Sequence, residues 1–472
     1  MWKRRINRRQ AIGAATKIGV AAVGGLVVGG LAGYLGGTNS APAQPTTKTV
    51  TQTSTQTVTQ SGSGGATQTI TITSTAAGSG GLNLGTIKLG VPTFVSGPFA
   101  ASGTQVKNAT KLAVDEIKAS GILGNTDIQV TTADLGGVSA DEVKTAFSQL
   151  NDVTKTHVNA TIWGTYGPGW DSTLKVGTPL ITGDTPSGVS EYITAHPEIR
   201  LAETFGPVAS GRQQNAHLNL LNQVRQSGAW TPRHATPTMY IVYSDFVWDT
   251  NWAGKLKDLA TQTGWNVVGY DLLPLGTADW STVISKIKVA DPDAVFHCDL
   301  GANDAAAFSN QFTTSSPPKA LLHNSAGFAS PQPLQLVDPK TLIGVTHFGS
   351  TGPVGGSKLE AFKTKFKQTF GIDATSDATH QYDSIHIAIN AIRTAGSVDP
   401  AAVYNAIFST VTPGLEGNWA FDAKTKLYYN YPEFTPDQIF QIQEHDNVIS
   451  EFWSVYPATV ATAQWQLPPW FG

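Results

Sequence analysis

Five short polar stretches gather the residues able to hold a small molecule: TYGPGW after Trp163, GDTPSG after Thr182, SDFVWD after Tyr243, DLGAND after Cys298 and NSAGFA after His323. Their Gly, Ser, Thr and Asn residues offer hydrogen bonds to polar ligand groups, and Tyr166, Trp170 and Trp248 offer flat faces for stacking. Asp184, in TGDTP, is the acid nominated for a cleft, either as a ligand contact or as a turn-forming residue. A catalytic set does not emerge. No GxGxxG follows the first strand, and the chain has no Walker loop, no GxSxG and no HExxH, so nucleotide, acyl-transfer and zinc-hydrolase chemistry lack their usual residues. Cys298 lies between His297 and Asp299, but side chains alternate along a strand, so both neighbours point away from the thiol. Cys298 therefore reads as a small core residue. His380 and His386 fall on a helical pattern without metal-ligand spacing and read as solvated or capping histidines. A single cysteine excludes multi-cysteine zinc and iron–sulfur sites, and no cofactor or metal is expected.

The polar stretches follow apolar runs that read as strands: 87–91, 128–132, 160–163, 180–182, 239–243, 267–272, 294–298 and 320–323. Helical patterns at 104–119, 139–151, 210–227, 250–264, 280–290, 302–314, 358–370 and 380–396 alternate with them. In the first helix, Val106, Ala109, Ala113 and Ile117 form one apolar stripe, as a helix covering a sheet requires. Strand–helix alternation predicts an α/β fold with parallel sheets in two domains of similar construction. Ligands of open α/β sheets bind beyond the carboxyl ends of the strands, where these stretches lie.

The 472-residue length suits two or three domains, and the net charge of −3 without a long basic stripe in the main body gives no support for nucleic-acid binding. Lys3, Arg4, Arg5, Arg8 and Arg9 precede an apolar run, Ile18 to Leu35, of about the minimum spanning length. Basic residues before such a run stay cytoplasmic, which places the rest of the chain outside. RRQAIGAA resembles a twin-arginine export signal, no cysteine follows for a lipid anchor, and SAPAQ offers cleavage at Ala41 or Ala43. An uncleaved membrane anchor over 1–37 is favoured over a cleaved signal. Residues 38–83 are almost entirely Thr, Ser, Gln, Gly and Ala, and read as a disordered stalk, bare or O-glycosylated. Asn108 and Asn159, each in Asn-Ala-Thr, carry the N-glycosylation pattern.

The stretch IKLGVPTFVSGPFAASGTQVKNATKLAVDEIKASGILG resembles the first strand–loop–helix of type I periplasmic binding proteins of the leucine/isoleucine/valine receptor group, the substrate-capturing subunits of ABC importers. The resemblance continues through IQVTTADLGG, TPLITGDTPSG, the segment from MYIVYSDF to SNQF, GVTHFG, the segment from FKTKF to AINAI, and GLEGNWAFDAKTKLYYN. It runs in order from residue 84 to about 455. It implies two Rossmann-like lobes joined by a three-segment hinge: lobe one at 84–206 plus 347–418, lobe two at 207–346 plus 419–457, then a tail at 458–472.

By the same resemblance, contacts to an amino acid carboxylate fall near Tyr166 and Gly167 and at Asp184 and Thr185. Trp248 matches an aromatic that covers the ligand from lobe two. Leu300 stands where an aromatic often sits, and Ser325 or Ala326 where an acid holds the α-ammonium. Ser210 stands where an acid is expected after the first crossover. A buried ammonium without a counter-charge costs several kcal/mol, so a neutral amide, a polyol and an aromatic acid stay open beside an amino acid. In the first loop, Ser96 and Ser102 are offered to a solute, against a tight turn set by Gly97, Pro98 and Gly103. The implied function is solute capture by hinge closure for an ABC permease, on the extracellular face of the membrane and with no bond chemistry. A sensory ectodomain of the same fold is the alternative, and an extracellular α/β enzyme a more distant one.

Overall fold

The computed structural model describes residues 52–61, 67–76, 82–97, 99–137, 139–151, 153–159, 177–183, 196, 198–204, 211–299, 301–315, 318–325, 327–328, 332–349, 356–430 and 434–471. The chain divides into two units, Met1–Gly78 and Ser79–Gly472. In the first, β1 (Gln52–Ser61) pairs antiparallel with β2 (Thr67–Ala76) in a register running from Gln52↔Ala76 to Ser61↔Thr67. The tract expected to be wholly disordered thus includes a hairpin. Its alternating threonines are β-branched and favour extended backbone over an unstructured tract. The apolar run 18–35 lies outside the described residues, and no described helix is long and apolar enough to cross a membrane.

The second unit holds two sheets. Lobe one is built on five strands in the order β4-β3-β5-β6-β7, all parallel: β3 (Thr86–Thr93), β4 (Asp127–Asp134), β5 (Thr156–Asn159), β6 (Leu180–Thr182) and β7 (Leu201–Glu203). Helix α1 (Ala100–Ala119) contributes Ala113 and Ile117 to a cluster with Ile87, Leu89 and Val158 on one face of the sheet. Helix α2 (Ala140–Asn151) contributes Val143, Ala146 and Phe147 to a separate cluster with Phe94 and Ala133. The strand expected at 160–163 lies outside the described residues; β5 ends just before it.

Lobe two follows as α3 (Arg212–Gln226), β8 (Thr238–Ser244), α4 (Val247–Gln262), β9 (Asn266–Leu273), α5 (Ser281–Ala290), β10 (Ala294–Cys298), α6 (Ala302–Thr314), β11 (Leu321–Asn324), α7 (Gln332–Leu336) and β12 (Thr346–Gly349). The chain then returns to lobe one for α8 (Gly356–Phe370), α9 (Ser376–Ala395), α10 (Pro400–Ile407) and the short pair β13 (Thr412–Pro413) and β14 (Asn418–Trp419). It ends in lobe two with β15 (Gln438–His445) and β16 (Val448–Tyr456). These last two pair antiparallel with each other and with β12, completing a seven-stranded sheet ordered β16-β15-β12-β11-β10-β8-β9. Ile385, Ile389, Trp419, Phe421 and Tyr428 all pack in the lobe-one core, so the chain leaves lobe one after Tyr428.

The tail beyond residue 457 belongs to lobe two. Trp465 and Phe471 pack on one core cluster and Trp470 on another, with its indole Nε1 donating to Ala320 O at 2.9 Å. Gln441 and Gln443, buried on β15, bond the tail backbone: Gln441 Nε2 to Gln466 O at 2.8 Å and Gln443 Nε2 to Gln464 O at 2.8 Å. Asn108 sits half-buried inside α1, and the buried Thr110 hydroxyl accepts from Gln381 Nε2 at 3.0 Å. The third residue of the first glycosylation pattern is thus packed inside the fold.

Candidate functional site

The first strand-to-helix loop is held by backbone approach and by one acid. Gly103 opens α1 so close to β3 that a Cβ there would lie 1.6 Å from Phe94 O, and a Cβ on Gly97 would lie 1.9 Å from Gly136 O. At the carboxyl end of β4, Asp134 Oδ1 accepts from Val95 N at 2.8 Å, Ser96 N at 3.2 Å and Gly136 N at 2.9 Å. Ser96 Oγ donates to Asp134 Oδ2 at 2.6 Å. Slight burial would raise the Asp134 carboxyl, but these hydrogen bonds outweigh it and hold the group below its usual range. The Ser96 hydroxyl, offered to a solute in the sequence, is exposed and engaged with Asp134. Ser102 is buried on α1, beside the Asp377 carboxyl at the start of α9.

Of the remaining site residues, Tyr166, Gly167, Asp184, Thr185, Ser210 and Leu300 lie outside the described residues. Trp248 lies in the first turn of α4, fully buried in the lobe-two core and stacked 6.4 Å from Trp252. Ser325 is buried too: its Oγ accepts from Asp299 N at 3.0 Å, and its backbone N donates to His297 O at 3.0 Å. Ser325 therefore pins Asp299, just past β10, to the end of β11. Cys298 packs among Met239, Trp252 and Phe296, and burial pushes its thiol up. His297 and Asp299 share the opposite face, Nε2 to Oδ2 at 3.7 Å.

Two polar clusters lie where the chain passes between the lobes, and sequence reasoning missed both. Thr204, just after β7, meets His380 of α9: Nε2 lies 2.7 Å from Thr204 Oγ1, and Nδ1 lies 2.9 Å from Glu416 Oε2. Both histidine and acid are buried, which corrects the solvated reading of His380; His386 is half-buried, and burial holds it down at about 4. Asp383, one turn on, accepts from Leu415 N at 2.7 Å, Glu416 N at 3.1 Å and Trp419 Nε1 at 2.8 Å. Burial, then the Glu416 charge, push its carboxyl up to about 7 against those hydrogen bonds. A Cβ on Gly414 would sit 2.2 Å from Asp383 Oδ2, so the glycine in GLEGNW is the site where that carboxyl docks.

The second cluster joins α3 to the return into β15. Arg212 Nε donates to Asp437 Oδ2 at 3.2 Å and Nη1 to Tyr428 O at 3.1 Å, with the guanidinium 4.2 Å over the Tyr428 ring. Tyr428 OH also donates to Asp437, and Asn430 Nδ2 donates to it at 2.5 Å. A concavity of about 380 Å³ lined by Trp230, Arg233, Lys319, Leu467 and Phe471 lies at the amino ends of the lobe-two strands, away from these clusters. Among the described residues no group of three or more His, Cys, Asp or Glu could hold a metal ion.

The arrangement, two sheets whose carboxyl-end loops are linked by three chain crossings, matches known proteins over most of its length. The family model for periplasmic binding proteins matches residues 86–428. Leu/Ile/Val-binding protein homolog 3 of Brucella melitensis is 22% identical over 319 residues, 67% of this chain and 81% of that protein. The crystal structure of a Silicibacter pomeroyi protein assigned to branched-chain amino acid ABC transport superimposes with a TM-score of 0.73 at 20% identity, covering 81% of this chain and 99% of that one. The branched-chain amino acid transporter substrate binding protein of Streptococcus pneumoniae, solved with isoleucine, gives 0.61 at 20% identity, covering 79% and 100%.

Proposed function

The chain belongs to the periplasmic binding protein family, and from that premise we propose that it is the extracytoplasmic receptor of an ABC importer. It captures a small polar solute, an amino acid of the branched-chain type or a related amide, by closing its two lobes. The observation that carries this reading is the collinear family match across both lobes, 86–428, together with relatives that bind leucine, isoleucine and valine by name. Capture and release are conformational, and no bond is made or broken. The N-terminal apolar run tethers the receptor to the membrane, beside the permease that accepts the solute. In the cleft, Tyr166, Gly167, Asp184 and Thr185 from lobe one receive the polar end of the solute. The loops carrying Leu300 and Ser325 close from lobe two, Trp248 backs them from within the core, and Ser96 shapes the wall opposite through Asp134. Ser210 occupies the first crossing.

Calorimetry and thermal unfolding of the full chain with leucine, isoleucine, valine and their amides test this. A ligand at 100 times its Kd adds about 2.7 kcal/mol of stability, which raises Tm by a few °C. No response to any small solute, from protein that still unfolds cooperatively, would overturn the assignment.

A further inference from the structure

The loops after β9, β10 and β11 converge on two aspartates that solute capture, as described, leaves unused. Asp299, directly after β10, is buried; its Oδ1 accepts from Gly301 N at 2.6 Å. Its backbone N donates to Ser325 Oγ, which fixes the loop after β11. Asp304, in the first turn of α6, is also buried, and its Oδ2 accepts from Gly276 N at 2.6 Å in the loop after β9. The two carboxyls flank the same glycine: one Cβ added to Gly301 would lie 3.0 Å from Asp299 Oδ1 and 3.5 Å from Asp304 Cγ, and the buried Asp299 Oδ2 has no hydrogen-bond partner. A Cβ on Gly327 would lie 3.0 Å from Asp299 O and 2.4 Å from Ala305 Cβ, so the third loop also has a backbone-only fit here. Three loops at the carboxyl edge of the lobe-two sheet thus hang on one carboxyl pair.

We propose that Asp299 and Asp304 share a single proton, and that this pair is the positioning element that holds the three cleft loops of lobe two in their capture geometry. The proposal rests on the solute-capture reading, and it deepens it by making solute affinity depend on that proton.

Two adjacent buried carboxylates cannot both ionise cheaply, because their charges repel in a poorly solvated site. Burial pushes the Asp299 carboxyl up to about 8; the Gly301 amide opposes this and the Asp304 charge adds to it. The titratable groups facing Asp299 are Asp304 from α6 and His297 from β10, while β11 presents the uncharged Ser325 and Asn324. His297 supplies no counter-charge, since burial holds it down at about 3. Asn324 Oδ1 accepts from Gly327 N at 2.9 Å, so its Nδ2 donates to His297 Nδ1 at 3.0 Å. The imidazole proton therefore sits on Nε2, the atom that faces Asp299 Oδ2. At neutral pH Asp299 keeps the proton that bridges the pair. When it ionises, that bridge becomes a repulsion and the loops separate.

Asp299→Asn keeps an acceptor for Gly301 N and removes the titrating proton. Hydrogen–deuterium exchange of the full chain, corrected for intrinsic rates, reads the Gly276, Gly301 and Gly327 amides at pH 7 and 9. In the wild type their protection falls about tenfold over that interval, as one proton lost near pH 8 requires, while in Asp299→Asn it stays constant. An identical pH response in both proteins overturns the proposal. Should the variant misfold, isotope-edited infrared titration of the wild type decides: beside the Asp383 midpoint at about 7, a further carboxyl midpoint near 8 supports the pair, and its absence overturns it. With L-leucine as probe, the wild type binds about tenfold more weakly at pH 9 than at pH 7, and Asp299→Asn binds equally at both. Absence of leucine binding at every pH would count against the solute class, and the exchange readout would still decide the role of the pair.

Discussion

At the scale of single residues, the first loop is set by what cannot be there. Gly103 has no room for a methyl group, because the Phe94 carbonyl occupies the position where its Cβ would go. Gly103→Ala must push α1 off β3 or bend the loop, and the expected cost is about 3 kcal/mol or more, read as a lower Tm and a lower denaturation midpoint. A change below about 1 kcal/mol would mean that the strand–helix approach is looser than described. The same loop separates two kinds of serine. Ser96 is exposed and spends its hydroxyl on Asp134, whereas Ser102 is packed inside α1 against α9. Both are small polar residues beside glycine, and nothing in their local sequence tells them apart.

At the scale of elements, the joints between the lobes are held by buried polar clusters. Asp437 accepts from Tyr428, Asn430 and Arg212, and so ties the lobe-one core, the start of α3 and the start of β15. Asp437→Ala leaves a mostly buried guanidinium without its carboxylate and is expected to cost about 3 kcal/mol. It should also broaden the distribution of lobe separations measured by small-angle scattering or by spin-label distances. An unchanged distribution would remove the latch role from this cluster. Much of the element pattern was legible in the sequence: β6, β10 and α6 occupy 180–182, 294–298 and 302–314, as their apolar periodicity predicts. Other elements were hidden by particular residues. In β15, Gln438, Gln441 and Gln443 are buried, and their polarity masks a core strand; the partners of Gln441 and Gln443 lie in the tail. Trp248 follows a strand end and reads as a cleft aromatic, but α4 begins at Val247 and turns the indole into the core. His380 reads as solvated because its partner Glu416 lies on a distant segment that only the fold brings near.

For the whole molecule, two sets of buried groups oppose each other as pH changes. Burial holds His157 and His386 at about 4, His297 and His323 at about 3, and His217 well below its usual value. Their unfolded forms bind protons near pH 6.5, so the stability they contribute is present above that pH and is lost as pH falls toward 4 and 3. Asp383 and Asp299 are raised to about 7 and about 8, so their contribution is present below about pH 4 and is lost as pH rises through those values. Near pH 5 the histidines outnumber the aspartates and stability climbs with pH; above about pH 7 the aspartates dominate, joined toward pH 9 by the raised Cys298 thiol, and it declines. Tm is therefore expected to peak between roughly pH 6 and 7, with Asp299→Asn flattening the alkaline side; a monotonic rise to pH 9 would contradict the buried neutral carboxyls. The order in which the chain is made adds a further consequence. The strands of lobe one are complete by Glu203, yet α9, which seals one face of that sheet with Ile385 and Ile389, spans Ser376–Ala395. At typical synthesis speeds the sheet waits about 10–40 s for its cover, with all of β8 to β12 emerging in between. During that interval the nascent chain carries a sheet face only partly covered by α1, and slowing translation after Glu203 should reduce the soluble yield.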